Sequence, residues 1–166
     1  MITLLPLAVR VAEQLKARNE TIAVAEASCG GLISAALLAV PGASAYYLGG
    51  AVVYTAKARE TLLQIPGEAM QGMRASTEAY ARLLAATARE RFGSDWALAE
   101  SGATGPTGNR YGDAAGHVCI AVAGPAESAA TIETGRNARA ENMRAFAALA
   151  LEQLLGALEQ APRNPA

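Results

Sequence analysis

The sequence predicts a three-layer α/β/α sandwich around a mixed, mostly parallel five-stranded sheet. Two observations predict it. Early in the chain, short β-prone apolar runs alternate with stretches of helical period, the pattern of parallel strands joined by crossover helices. Later, apolar runs lie close together before one long amphipathic segment, which adds neighbouring strands and a closing helix.

Leu4, Leu7, Ala8, Val11 and Leu15 recur at helical spacing, with Arg10, Glu13, Lys16 and Arg18 between them, which predicts a first helix ending near Asn19. Thr21–Ala25 is short and apolar, a buried strand. Glu26-Ala27-Ser28-Cys29-Gly30-Gly31 turns the chain into a helix over Leu32–Ala39, whose small residues allow close packing on a sheet. Ala51–Tyr54 reads as the second strand, followed by a short helix over Ala56–Leu63. Ser76 is the expected N-cap of a helix that carries Tyr80, Leu83, Leu84, Thr87, Ala88 and Phe92 on one face and stops at Gly93. Strands are expected over Trp96–Glu100, Val118–Ala123 and Ala130–Glu133. Met143, Phe146, Ala147, Ala150, Leu151, Leu154, Leu155 and Leu158 then mark the closing helix.

At 166 residues, 52% hydrophobic and 17% charged, the chain suits one domain with a single core and is too apolar for disorder. That domain is expected over residues 1–160, with 161–166 a frayed tail. Fourteen basic against fifteen acidic residues give a net charge of -1, with no Lys/Arg run, so no nucleic-acid surface is expected. The two cysteines, Cys29 and Cys119, lack metal-ligand spacing; no metal or cofactor is expected, and reduced thiols suit a cytoplasmic protein. Pro6 interrupts the apolar start, and no apolar run approaches the ~20 residues that cross a bilayer, so neither a signal peptide nor membrane attachment is expected.

In a sheet of this kind the loops leaving the carboxyl ends of parallel strands build the ligand site. Three such stretches carry chemistry: Glu26–Gly31, Tyr54–Arg59 and Ser101–Gly108. Ser28, Cys29, Gly30 and Gly31 open a helix, where free amides suit an anion or an oxyanion; a tight turn without a ligand is the plainer alternative. Ser101, Gly102, Ala103, Thr104 and Gly105 begin a Gly-rich loop after the third strand, longer than a connection needs, and it lacks the G-x-x-x-x-G-K-[ST] pattern of a nucleotide loop. Ser44 has no G-x-S-x-G setting and no nearby histidine, and on the residues alone it reads first as structural. Tyr54, Lys57 and Arg59 follow it, but an arginine is a poor proton acceptor. Cys29 at a helix start is a possible thiolate nucleophile or an inert buried thiol. His117 reads as a satisfied sheet residue. Arg136, Arg139 and Arg144 form a solvated face from which one guanidinium could reach a phosphate.

Taken together these blocks resemble the C-terminal domain of the CinA competence/damage-inducible family, whose stand-alone members are nicotinamide mononucleotide (NMN) deamidases. Ala25-Glu26-Ala27-Ser28-Cys29-Gly30-Gly31 resembles A-E-S-C-T-G-G, and Pro41-Gly42-Ala43-Ser44-Ala45 resembles P-G-S-S-A. Gly49 to Arg59 is similar to G-G-x-V-x-Y-S-N-E-A-K, and Ser101 to Pro106 to [ST]-G-I-A-G-P. The resemblance covers essentially the whole chain. It implies metal-free hydrolysis of a nicotinamide ribonucleotide amide, with Ser44 as nucleophile, Tyr54 assisting and Ser101 helping to hold the reacting group. It also implies an arginine near the start of the last helix on the substrate, Arg139 or else Arg144. Three positions depart from the pattern. Arg59 stands where the family has a catalytic lysine, Ala27 where it has a serine, and Cys29 where it has a threonine. Lys57 falls on an acidic family position, and residues two apart on a helix face different ways. The expectation is an amidohydrolase of a small nucleotide, with Arg59 beside Tyr54. The alternative is a homologue that binds a nucleotide without deamidating it. A homodimer is the default assembly, two-fold dimers being the commonest.

Overall fold

The structure is a computed structural model and describes residues 3–162. In chain order it comprises α1 (Leu5–Arg18), β1 (Ile22–Glu26), α2 (Leu32–Leu38), β2 (Tyr47–Val52), α3 (Ala56–Leu63), α4 (Glu78–Phe92), β3 (Trp96–Ala103), β4 (His117–Ala123), β5 (Ser128–Glu133) and α5 (Arg139–Gln160). The sheet order is β2-β1-β3-β4-β5. β1 pairs in parallel with β2 and β3, and β4 lies antiparallel between β3 and β5. Four strands thus run one way and β4 alone is reversed, giving the mixed, mostly parallel sheet between helix layers.

The two faces of the sheet differ in side-chain size. Ile22, Val24, Trp96, Leu98, Val118, Ile120 and Val122 face α1, α2 and α5, where Val11, Leu15, Ile33, Phe146, Leu151 and Leu154 fill the larger core. Their neighbours along the strands are Ala23, Ala25, Ala97, Ala99, Ala121 and Ala123, and these face α4, which answers with Ala81, Leu84, Ala85 and Ala88. Strand alternation sorts large from small, so α4 rests on a layer of methyl groups with no room for more. Ala99→Leu is therefore expected to cost about 1–3 kcal/mol by overpacking, read as a lower urea midpoint at unchanged slope.

The helices end where local chemistry says. Asn19 caps α1 in the left-handed conformation, with Lys16 and Arg18 in the last turn. Gly93 does the same for α4. Three expectations need correction. The N-cap of α4 is Thr77, whose hydroxyl accepts from the Tyr80 amide; Ser76 instead takes φ 58° and donates its amide to the Ser101 hydroxyl. β2 begins at Tyr47, not Ala51, and ends before Tyr54. Gly49 and Gly50 lie inside it because a Cβ at 49 would sit 2.5 Å from the Phe92 ring, and one at 50 would sit 2.7 Å from the Ser34 and Tyr47 hydroxyls. β3 runs on to Ala103, so Ser101, Gly102 and Ala103 pair with Cys119, Val118 and His117 and do not belong to a loop. The expected frayed tail lies outside the described residues from 163 onward; Arg18 donates to the Ala161 and Pro162 carbonyls. No helix among the described residues is long and apolar enough to cross a membrane.

Candidate active site at the carboxyl ends of the strands

β1 ends in Ala-Val-Ala-Glu and β3 carries Ala-Leu-Ala-Glu before its last three residues, and their registry sets Glu26 beside Glu100. Both carboxylates are buried and turn toward the start of α2. Glu26 accepts from the amides of Gly31, Ile33 and Ser34 at 2.9–3.0 Å and from the Ser34 hydroxyl at 2.6 Å. Glu100 accepts from the amides of Ala27 and Cys29 at 2.8 and 2.7 Å and from the Ser28 hydroxyl at 2.5 Å. Burial pushes Glu100 up to about 7; the Cys29 amide and the Ser28 hydroxyl pull the other way, and Glu26 adds to the rise.

This corrects the reading of Ser28–Gly31. The amides of Cys29 and Gly31, which the sequence offers to a ligand, are occupied by the protein's own carboxylates. Cys29 is fully buried, and burial, with Glu100 and Glu26 beside it, pushes its thiol well above the ordinary range. It is not a nucleophile in this setting. Ser101 is likewise buried, its hydroxyl accepting from Ser76.

The next two stretches do converge. Arg139, the first residue of α5, donates to the Gly105 carbonyl at 2.9 Å and to the Tyr54 hydroxyl oxygen at 3.3 Å. Behind it Asn142, fully buried, donates to the carbonyls of Thr104 and Arg136 and accepts from the Thr134 hydroxyl. Gly105 has φ 102°, and a Cβ there would lie 2.4 Å from the Asn137 carbonyl oxygen, so only glycine lets this loop lie against the start of α5. Asn142→Ala would strand the buried Thr104 carbonyl and free the part-buried Arg136 carbonyl and Thr134 hydroxyl, and is expected to cost about 1–3 kcal/mol, measured by denaturation.

Tyr54, 62% exposed, stands at the mouth of a cavity of about 410 Å³. Its walls come from the start of α3, the Met70–Ala75 segment, α4 and the loop after β3, and they present Arg59, Arg74 and Arg110 with Tyr54, Tyr80 and Tyr111. Arg59 points inward and is buried while Lys57 is exposed, as their spacing on α3 requires. The Arg59 Nε donates to the Ile65 carbonyl, and its guanidinium faces the Tyr80 hydroxyl. Burial raises Tyr80, with Arg59 pulling it down. Arg74 makes a two-pronged pair with Asp113 at 2.6 and 3.1 Å, which lowers Asp113 to about 2. Arg74 and Arg110 each lie about 5 Å from the Tyr111 ring centroid (5.1 and 5.0 Å). No cluster among the described residues could hold a metal ion. His117 is satisfied by the Glu133 carboxylate and the Ser76 carbonyl. Burial pulls its pKa down, but Glu133, Ser76 and Asp113 outweigh burial and hold it above the usual histidine value.

The profile of the CinA C-terminal domain matches residues 5–158. The chain belongs to the CinA C-terminal domain family. The CinA-like protein of Synechococcus sp. (strain RCC307) is 41% identical over 115 residues, 69% of this chain and 28% of that protein. That of Anaeromyxobacter sp. (strain K) is 38% identical over 146 residues, 87% of this chain and 36% of its own length. The chain thus spans about a third or less of these curated CinA relatives. Among solved CinA structures, competence damage-inducible protein A (ComA) of Klebsiella pneumoniae superposes with a TM-score of 0.88 at 27% identity, covering 95% of this chain and 98% of that one. CihA of Agrobacterium tumefaciens gives 0.84 at 28%, covering 95% and 96%.

Within one CinA domain Ser44 does not meet Tyr54. Ser44 lies exposed in the short 3₁₀ turn Ala43–Ala45 before β2, and Tyr54 follows the other end of that strand. Six extended residues put about 20 Å between them. Arg144 is exposed and lies away from the Tyr54 cavity; of the arginines near the start of α5, Arg139 is the one on Tyr54. Sequence reasoning placed Glu26 in a chemistry-bearing stretch without giving it a role, and it missed Glu100, Arg74, Arg110, Asp113 and Asn142. A signal was present for the two glutamates, the Ala-x-Ala-Glu repeated in two buried strands.

Proposed function

We propose that the protein is an amidohydrolase acting on the carboxamide of NMN or a close relative, giving the acid and ammonia. The observation that carries this reading is the Tyr54 hydroxyl held by Arg139 at the mouth of an arginine-lined cavity, in a chain whose blocks follow the deamidase pattern. The guanidinium donates to a lone pair of the phenolic oxygen, so the phenol's own O–H is not used on Arg139 and can face the ligand. Ser44 attacks the carboxamide carbon as the C–N bond breaks, ammonia leaves with the proton relayed by Tyr54, and water then cleaves the ester to restore Ser44.

The 20 Å gap asks for a second copy. β2 is an edge strand with Leu48 and Val52 44% and 42% exposed, an edge suited to pairing. Antiparallel pairing of two β2 strands about a two-fold axis at Gly49 sets Ser44 of one chain opposite Tyr54 of the other, since both lie five residues from Gly49. The test is ammonia release from NMN by the purified protein, with Ser44→Ala as control.

A second reading has its own support. Arg59 replaces the family lysine, and a guanidinium stays charged and is a poor proton acceptor; a homologue that binds the nucleotide without turning it over follows from that. Nucleotide binding with no ammonia release selects this reading.

A further inference from the structure

Arg59 is an unusual residue to bury. It is only 9% exposed, and among the described residues it forms no ion pair with a carboxylate. A guanidinium shielded from water without a counter-charge costs several kcal/mol. Its partners are a carbonyl and a phenol, both neutral, and its open side is the cavity. Arg74 and Arg110 line the same cavity; Arg74 is neutralised by Asp113, whereas Arg110, among the described residues, bonds only the Tyr111 hydroxyl. Three guanidiniums against one carboxylate leave a surplus of two positive charges. That surplus matches a phosphate monoester, which carries about two negative charges near neutral pH, and guanidinium forks suit its oxygens.

We propose that this cavity is the seat of the ligand's phosphate group, with Arg59 at its floor and Arg110 at its rim, and that Arg74 braces Tyr111 as a face for the attached sugar or ring. The proposal rests on the nucleotide reading above and gives Arg59 a role. Where the family pattern has a base, this chain has an anion anchor. The phosphate is therefore held by side chains of α3 and the loop after β3 and not by the Ser28–Gly31 turn, whose Cys29 and Gly31 amides are filled from within. A volume of about 410 Å³ is in the range of small-ligand sites, and Met70 and Met73 supply an apolar wall.

The test is calorimetric binding of inorganic phosphate, NMN and nicotinamide riboside to the full chain. Measurable phosphate binding, and NMN tighter than the riboside by on the order of tenfold or more, is expected. Arg110→Ala and Arg59→Met should bring the two ligands to equal affinity, Arg59→Lys should keep part of the preference, and Arg10→Ala, on the exposed face of α1, should leave it whole. Thermal melts identify any variant that fails to fold, in which case the Arg110 and Arg59→Lys pair decides. No phosphate binding by the wild type, equal affinities for the two ligands, or a preference untouched by Arg110→Ala overturns the proposal. Ammonia release decides the amidohydrolase reading separately, because a protein can hydrolyse the amide without favouring the phosphate, or bind the phosphate without hydrolysing anything.

Discussion

An equimolar mixture of Ser44→Ala and Tyr54→Phe proteins, unfolded together and refolded, is expected to release ammonia from NMN although neither variant does so alone. If the nucleophile and its proton carrier come from different copies, each homodimer of a variant has two broken sites. A mixed dimer has one site missing both groups and one with both. Random pairing makes half the dimers mixed, so the mixture recovers about a quarter of wild-type activity. Each single variant should fall by about 10²–10⁴, the range for a missing proton-transfer group, and further for a missing nucleophile. A mixture that stays inactive sinks the shared site. Full activity in Ser44→Ala sinks the serine mechanism itself. Far-ultraviolet dichroism of each variant guards against simple misfolding, since Ser44 and Tyr54 are both exposed and neither supports the core.

The second large effect concerns stability against pH. Glu100 has an ordinary value of 4.5 and is held at about 7 in the folded protein. Between those values the folded chain keeps a proton that the unfolded chain has released. Its contribution is therefore complete below about 4.5, declines as pH rises, and is lost once pH passes 7. The raised value corresponds to roughly 3 kcal/mol. Glu100→Gln fits the same seat: its carbonyl oxygen accepts from Ala27 and Cys29, and its amide donates to the Ser28 hydroxyl. The difference in unfolding free energy, variant minus wild type, is expected to grow by about 2.5 kcal/mol between pH 5 and pH 8. His117 also loses stabilisation as pH rises, but it does so in both proteins and cancels in the difference. Parallel profiles for the two proteins would remove the argument for a protonated Glu100.

Much of this architecture could be read from the residues because its causes are local. The period of Phe146, Ala147, Ala150, Leu151, Leu154 and Leu158 marks the buried face of α5 directly, and all six are buried. The opposed directions of Lys57 and Arg59 follow from their spacing. What escaped depends on distant partners. Gly49 and Gly50 look like a turn, yet they are strand residues because Phe92, from α4, lies against one and the Ser34 hydroxyl, from α2, against the other. Gly102 misled in the same way: its missing Cβ makes room for the His117 carbonyl across the β3–β4 pair, 2.4 Å from where that atom would stand. The site suffered most. A turn that exposes amides to a ligand and a turn that surrenders them to Glu26 and Glu100 have the same composition. Only the registry of β1 with β3 tells them apart.

The clamp that Asn142 and Arg139 place on Thr104 and Gly105 has a temporal side. α5 follows every strand in the chain, so a refolding chain can build the sheet while this corner of the site still lacks its fastenings. The two carbonyls would hang in solvent, and Tyr54 would have no cation behind it. Ligand affinity should consequently arrive in one late step, when the final helix docks, and not rise by degrees as the sheet forms. Any ligand of this site added to a refolding chain would then speed nothing before that docking and would secure everything after it.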